Sequence, residues 1–184
     1  VDHLFIPDYT HSVTRGSDES SGGDQDGDSE ASEPSYGSRI SDARFSLGDR
    51  TRYDLSEAGV VAAESPALAP DDDRVAFLGL SDQGQRDIYI IDPAPGGDFT
   101  LVRVTDTEAG ERGLDWGPDG LVYTSSETGH GRFNVFRTEP APKSEPVRLT
   151  SQPSDQFDPV VLADGRVAFV TYDRSRANIH FVHD

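Results

Sequence analysis

The chain has 184 residues, with 34 acidic side chains against 16 basic ones and a net charge of −18. That balance argues against nucleic acid, whose phosphates need a basic face, and disfavours adsorption to an anionic membrane surface. The absence of cysteine removes disulfides and thiolate metal sites, and no apolar run approaches the ~18 residues of a membrane-spanning helix.

Methionine is absent even at position 1, so the sequence reads as a processed product or a segment of something longer. Residues 1–16 carry one strand-like stretch, Asp2-His3-Leu4-Phe5-Ile6-Pro7-Asp8. It aligns with Asp87 to Pro93 and Asn178 to Asp184, so it reads as an orphan third strand of a partial sheet. Residues 17–40 form an acidic insertion. Between Ser17 and Ser35 it holds Asp18, Glu19, Asp24, Asp26, Asp28, Glu30 and Glu33 and no base. Such a segment buries too little apolar surface to offset its ordering entropy, so disorder is expected. Its run Asp24 to Glu30 has the alternating carboxylates a hard cation takes. The calcium-loop pattern fails, because Ser29 and Ser35 stand where glycine and glutamate are needed, and a solvated acidic linker is the simpler reading.

Residues 41–63 supply strands that complete the first unit: Arg44-Phe45-Ser46-Leu47, and then Thr51 to Ser56 as a fourth strand. From 64 to 184 one pattern repeats. Pro66 to Ala69 is a short apolar strand, and Pro70-Asp71-Asp72-Asp73 a turn set by proline and aspartate. Arg74 to Leu78 is a second strand, Ser81 to Gln85 a turn, and Asp87 to Ile91 a third strand rich in β-branched and aromatic residues. Leu101 to Thr105 closes the unit. Gly113 to Thr138 with Pro146 to Thr150 writes the unit again, and Pro159 to Asp184 writes its first three strands. Pro70 and Pro118 stand 48 residues apart, and Val75 and Val167 stand 92 apart over two repeats. Four strands in about 45 residues is the spacing of a β-propeller blade, and such a blade cannot bury both faces without neighbours. The expected fold is therefore all-β, with about three blades of four antiparallel strands. About three blades is too few for a ring, since roughly four to eight are typical. The chain is then a piece of a longer propeller or half of a two-chain ring, and further blades come from the rest of a longer chain or from a second copy.

The residues Leu114-Asp115-Trp116-Gly117-Pro118-Asp119-Gly120, Arg74-Val75-Ala76-Phe77, Asp87-Ile88-Tyr89-Ile90-Ile91-Asp92 and Arg148-Leu149-Thr150 resemble the TolB-like β-propeller repeat over roughly residues 53 to 184. Only one repeat has the tryptophan, and the first has Asp-Asp-Asp where that family prefers Asp-Gly. The resemblance implies a six-bladed ring, a periplasmic or extracellular setting, and a non-catalytic module that docks a protein or peptide on its channel face. Two alternatives come with it. One is a propeller gating a prolyl-oligopeptidase-type hydrolase domain that this sequence does not contain. The other is a carbohydrate-active propeller, which calls for a histidine cluster on one face.

No nucleophile elbow, zinc-binding helix motif or phosphate loop occurs, so no catalytic, cofactor or metal residue is expected. His180 and His183 fall on opposite faces of a strand, and His180 takes the place of Tyr89 and Phe136, where a packed ring is expected. Trp116 aligns with Leu68 and Val161 and reads as core. Asp71, Asp119 and Asp164 recur at one turn and read as turn chemistry. The candidate partner-binding residues lie in the loops between second and third strands, Arg86, His130, Arg132, Arg174 and Arg176, and in those between fourth and first strands, Asp106, Glu111 and Asp155. Glu108 and Asp158 share the latter loops.

Overall fold

In the computed structural model, residues 3–8, 39–44, 50–127, 131–173 and 176–183 are described. They form four antiparallel sheets. The first contains β1 (His3–Asp8), β2 (Arg39–Arg44) and β3 (Arg50–Asp54), in that order. The second runs β4 (Val60–Leu68), β5 (Val75–Ser81), β6 (Arg86–Pro93) and β7 (Phe99–Arg103). The third runs β8 (Glu111–Gly117), β9 (Gly120–Ser125), β10 (Asn134–Thr138) and β11 (Val147–Arg148). The fourth holds β12 (Gln156–Val161), β13 (Val167–Asp173) and β14 (Arg176–Val182). Each sheet is an up-and-down meander, and β4 contacts β8 as β8 contacts β12. The first strands of successive sheets therefore stand side by side, which is the blade arrangement expected of an all-β propeller.

Two expectations are corrected at the start of the chain. β2 lies between β1 and β3 in the first sheet. Counting back from β3 as the fourth strand, β1 therefore takes the second-strand place and not the third. β2 also begins at Arg39, so Arg39 and Ile40 belong to a strand and not to the expected insertion. Residues 17–38, with the run Asp24 to Glu30, lie outside the described residues, as do Phe45 to Leu47.

The turns follow from side-chain chemistry. Asp72 Oδ1 accepts from the Arg74 N–H at 2.9 Å and Asp164 Oδ1 from the Arg166 N–H at 3.2 Å. Each aspartate also pairs with the arginine side chain two residues on, at 2.8 Å. In the first repeat the turn is held by Asp72, not by Asp71. The hydrogen bond from the Arg74 side chain holds the Asp72 carboxyl below its ordinary range. The third sheet turns instead through Gly120 at φ 119°, where an added Cβ would stand 2.5 Å from the Thr138 carbonyl oxygen. Only glycine permits that approach.

Three apolar layers fill the spaces between sheets. Tyr53 and Leu55 pack with Val60, Val75, Phe77, Tyr89 and Ile91 between the first and second sheets. Ala76, Leu78, Ile88 and Ile90 meet Trp116, Leu121, Tyr123 and Phe136 between the second and third. Val122 and Val135 meet Val167 and Phe169 between the third and fourth. Trp116 is core, as its alignment indicated. A direct link crosses the last junction: Asp115 Oδ2 accepts from the Val161 N–H at 2.7 Å.

Candidate functional site

A repeated polar network ties each outer strand to its sheet and to the next sheet. In the second sheet, Asp87 is the second residue of β6 and is fully buried. Its Oδ2 accepts from Arg103 Nη2 at 2.5 Å, and its Oδ1 from the Thr105 hydroxyl at 3.3 Å. Thr105 Oγ1 in turn accepts from the Ile88 N–H at 2.8 Å. In the third sheet Asn134 replaces Asp87. Its Oδ1 accepts from Arg148 Nη2 at 2.9 Å, while Thr150 Oγ1 accepts from the Val135 N–H at 2.9 Å. The main-chain bonds match as well: Val104 N–H to Ile88 O and Leu149 N–H to Val135 O, both 2.8 Å. Threonine and arginine on the outer strand thus grip the same two points of the third strand in both repeats.

The following first strand adds one more group. Glu111 starts β8 and Gln156 starts β12, and both are buried. Gln156 Oε1 accepts from the Val135 N–H at 3.1 Å and from the Thr150 hydroxyl. Glu111 Oε1 accepts from the Thr107 hydroxyl at 3.0 Å, and its Oε2 has no partner. Burial, reinforced by the charges of Asp87 and Glu127, pushes the Glu111 carboxyl up to about 8 against the pull of the Thr107 hydrogen bond. It is therefore protonated near neutrality and resembles the amide of Gln156.

This network decides the fate of the residues expected to meet a partner. Glu111 is 1% exposed, so it is corrected from a surface loop residue to an internal one; its place at the start of a buried strand is the reason. Asp106 is exposed and pairs with Arg103 at 2.9 Å. Asp155 Oδ1 accepts from the Phe133 N–H at 3.0 Å, and Arg132 donates to the Pro153 carbonyl oxygen. Arg86 pairs with Glu64 at 2.8 Å. Arg176 is exposed at the start of β14, and His130 and Arg174 lie outside the described residues. The loop end thus has most of its candidate charges engaged with their own chain.

The fourth sheet presents a different surface. Its inner face, Val167, Phe169 and Thr171 with Asn178, His180 and Val182 opposite, turns to the third sheet. The His180 ring is half-buried and stacks on Phe169 with centroids 5.8 Å apart, as its position implied. Its outer face carries Ala168, Val170 and Tyr172 beside Phe181, Ile179 and Ala177. In the second sheet the same register places Ala76 beside Ile90 and Leu78 beside Ile88. Ile88 and Ile90 are 0% and 3% exposed under the third sheet, whereas Ile179 and Phe181 are 69% and 55% exposed. Tyr172 and Val160 extend this patch. Sequence reasoning passed over it because Ile179 and Phe181 look like ordinary third-strand core; the missing cover is a property of the assembly of sheets.

Elsewhere a cleft of about 300 Å³ separates the Pro70 and Pro118 turns. Arg74 lies over the Trp116 ring there, 5.2 Å from its centroid. Among the described residues no group of three or more histidines, aspartates or glutamates is placed to hold a metal ion. Among those residues, too, no helix is long and apolar enough to cross a membrane.

The sequence matches no family model, and no curated protein matches it. Among solved structures, the chain is similar to a chain of Kuenenia stuttgartiensis hydrazine synthase, with a TM-score of 0.59 and 16% identity over 81% of this chain. The match spans 27% of that chain's length. At this identity the likeness is one of fold, and it agrees with successive blade-like antiparallel sheets.

Proposed function

We propose that the chain is a non-catalytic protein-binding module, a β-propeller segment of the TolB-like kind. It acts by seating a further antiparallel sheet on the outer face of its fourth sheet. The observation that carries this reading is the contrast between Ile88 and Ile90, sealed by the next sheet, and Ile179 and Phe181, open at the same register positions. A contiguous apolar patch of this kind marks an interaction surface. The second sheet already gives the pattern of what covers it: another sheet of the same repeat. In solutions of the 184-residue polypeptide, a second copy is available to supply that sheet, which makes self-association a readout of the face. The loop end supports partner binding less well, because Arg86, Arg132, Asp106 and Asp155 all have internal partners.

Sedimentation equilibrium on surface variants tests the choice of face. Ile179→Asp and Phe181→Asp put a charge into the contact and should abolish self-association. Val147→Asp, at an exposed site on β11, should leave it intact. Association that survives both outer-face variants would sink the reading.

A further inference from the structure

The cleft between the Pro70 and Pro118 turns lies where the second and third sheets meet, at the end of the sheets opposite Arg86 and Arg132. It shares no residue with the outer face of the fourth sheet. We propose that this cleft is a receptor for a basic segment of a partner polypeptide, taking one lysine or arginine side chain together with a neighbouring main-chain carbonyl.

The cleft is ordered before any ligand arrives. Pro70, Pro118 and Pro140 line it, and each proline fixes its own backbone. Gly120, also in the lining, brings the third-sheet turn against the Thr138 carbonyl oxygen. The Arg74 guanidinium is held over the Trp116 ring by a cation–π contact. Asp72 fixes it from the side, with Arg74 Nη2 at 2.8 Å and Nε at 3.0 Å from the carboxylate. A preformed site binds with a smaller ordering penalty.

Two observations identify the ligand's chemistry. The first is charge. Asp71, Asp72, Asp119 and Glu139 line the cleft against the single cation Arg74, a net charge of −3. Asp72 already engages Arg74. Asp71, Asp119 and Glu139 are exposed, and among the described residues they have no ion-pair partner. An entering cation therefore meets three uncompensated carboxylates, and the chain's net charge of −18 favours its approach. The second is a free donor. Trp116 is only 7% exposed, and its main-chain N–H donates to Asp115, but its indole N–H has no acceptor among the described residues. A tryptophan N–H so deeply placed ordinarily finds a partner. It is not among the groups sealed from solvent without one, and the cleft is the opening that Trp116 lines. A peptide carbonyl oxygen supplies the missing acceptor. The methylene stem of the basic side chain lies against the proline rings, and about 300 Å³ suits one such residue.

Trp116 is the chain's single tryptophan, so its fluorescence reads the cleft directly. The probe is the peptide Gly-Ala-Arg-Ala-Lys-Ala-Gly, blocked at both ends and titrated into the full chain. A saturable change with Kd below about 1 mM is expected, and the same peptide with glutamate at both basic positions should give none. Asp119→Asn combined with Glu139→Gln should weaken binding about tenfold. Asp82→Asn removes an exposed carboxylate from the turn at the other end of the second sheet and should leave binding unchanged. The proposal is overturned if the fluorescence does not respond up to about 1 mM or if the glutamate peptide acts equally. It is equally overturned if Asp82→Asn weakens binding as much as the double variant, which would reduce the effect to overall charge. Free arginine amide binding as tightly as the peptide would also overturn it, since the site would then take a small organic cation. Phe181→Asp, which disables the outer face of the fourth sheet, should leave peptide binding unchanged, so the two binding proposals can fail separately.

Discussion

Glu111 is the residue whose behaviour is most out of line with its type. Its carboxyl sits between sheets with one oxygen on Thr107 and the other without a partner. Its proton affinity is raised from the ordinary 4.5 to about 8, so the folded state binds a proton that the unfolded state releases between those two values. Its contribution to stability is complete below about pH 4.5 and is lost as pH rises through about 8. Glu111→Gln installs the amide that Gln156 already places at the next junction. At about pH 9 the variant should be more stable than the parent by on the order of a few kcal/mol, with the gap closing as pH falls to the ordinary carboxylate range. Urea unfolding at about pH 5 and about pH 9 measures this; a gap that does not change with pH contradicts the account. The sequence concealed this role because acidic residues near Asp106 and Glu108 read as a solvated loop. The signal was present all the same. Arg103-Val104-Thr105 is followed by Glu111 and Arg148-Leu149-Thr150 by Gln156, all at a spacing of 45.

At the scale of the strand, two threonines fasten the ends of the outer strands to the main chain of their neighbours. Val147 and Arg148 of β11 are both exposed, and the strand is only two residues long. Thr105→Val deprives the buried Ile88 N–H of its acceptor and should cost about 1–3 kcal/mol. Thr150→Val should cost less, because the Val135 N–H retains Gln156 Oε1 at 3.1 Å. Urea midpoints for the two variants give the comparison, and equal or reversed losses would contradict the assignment. Most strands were legible from their alternation and from the proline and aspartate turns. β4 was not, because Glu64-Ser65-Pro66 reads as a break. The strand starts at Val60 and passes through that point by one register shift, between Glu64 and Ala67, and a positive φ of 52° at Ser65. Bulges of this kind bend a strand without ending it, so the expected boundary at 64 falls inside β4. The interposed β2 was hidden for a different reason: Arg39-Ile40-Ser41-Asp42-Ala43-Arg44 has two apolar residues and no pattern that period alone could find.

At the scale of the whole molecule, the outer face of the fourth sheet is read as a binding face for a further sheet. Each earlier junction seals a face of the kind that Ile179, Phe181 and Tyr172 leave open. Repetition in the sequence announced the row of blades, but not where its cover fails, because the same residue types serve sealed and open faces. The most direct measurement is absolute mass by light scattering on a sizing column, across a range of chain concentrations. A species of twice the 20.0 kDa chain mass that dissociates on dilution is expected. A mass of 20.0 kDa at every concentration would contradict it.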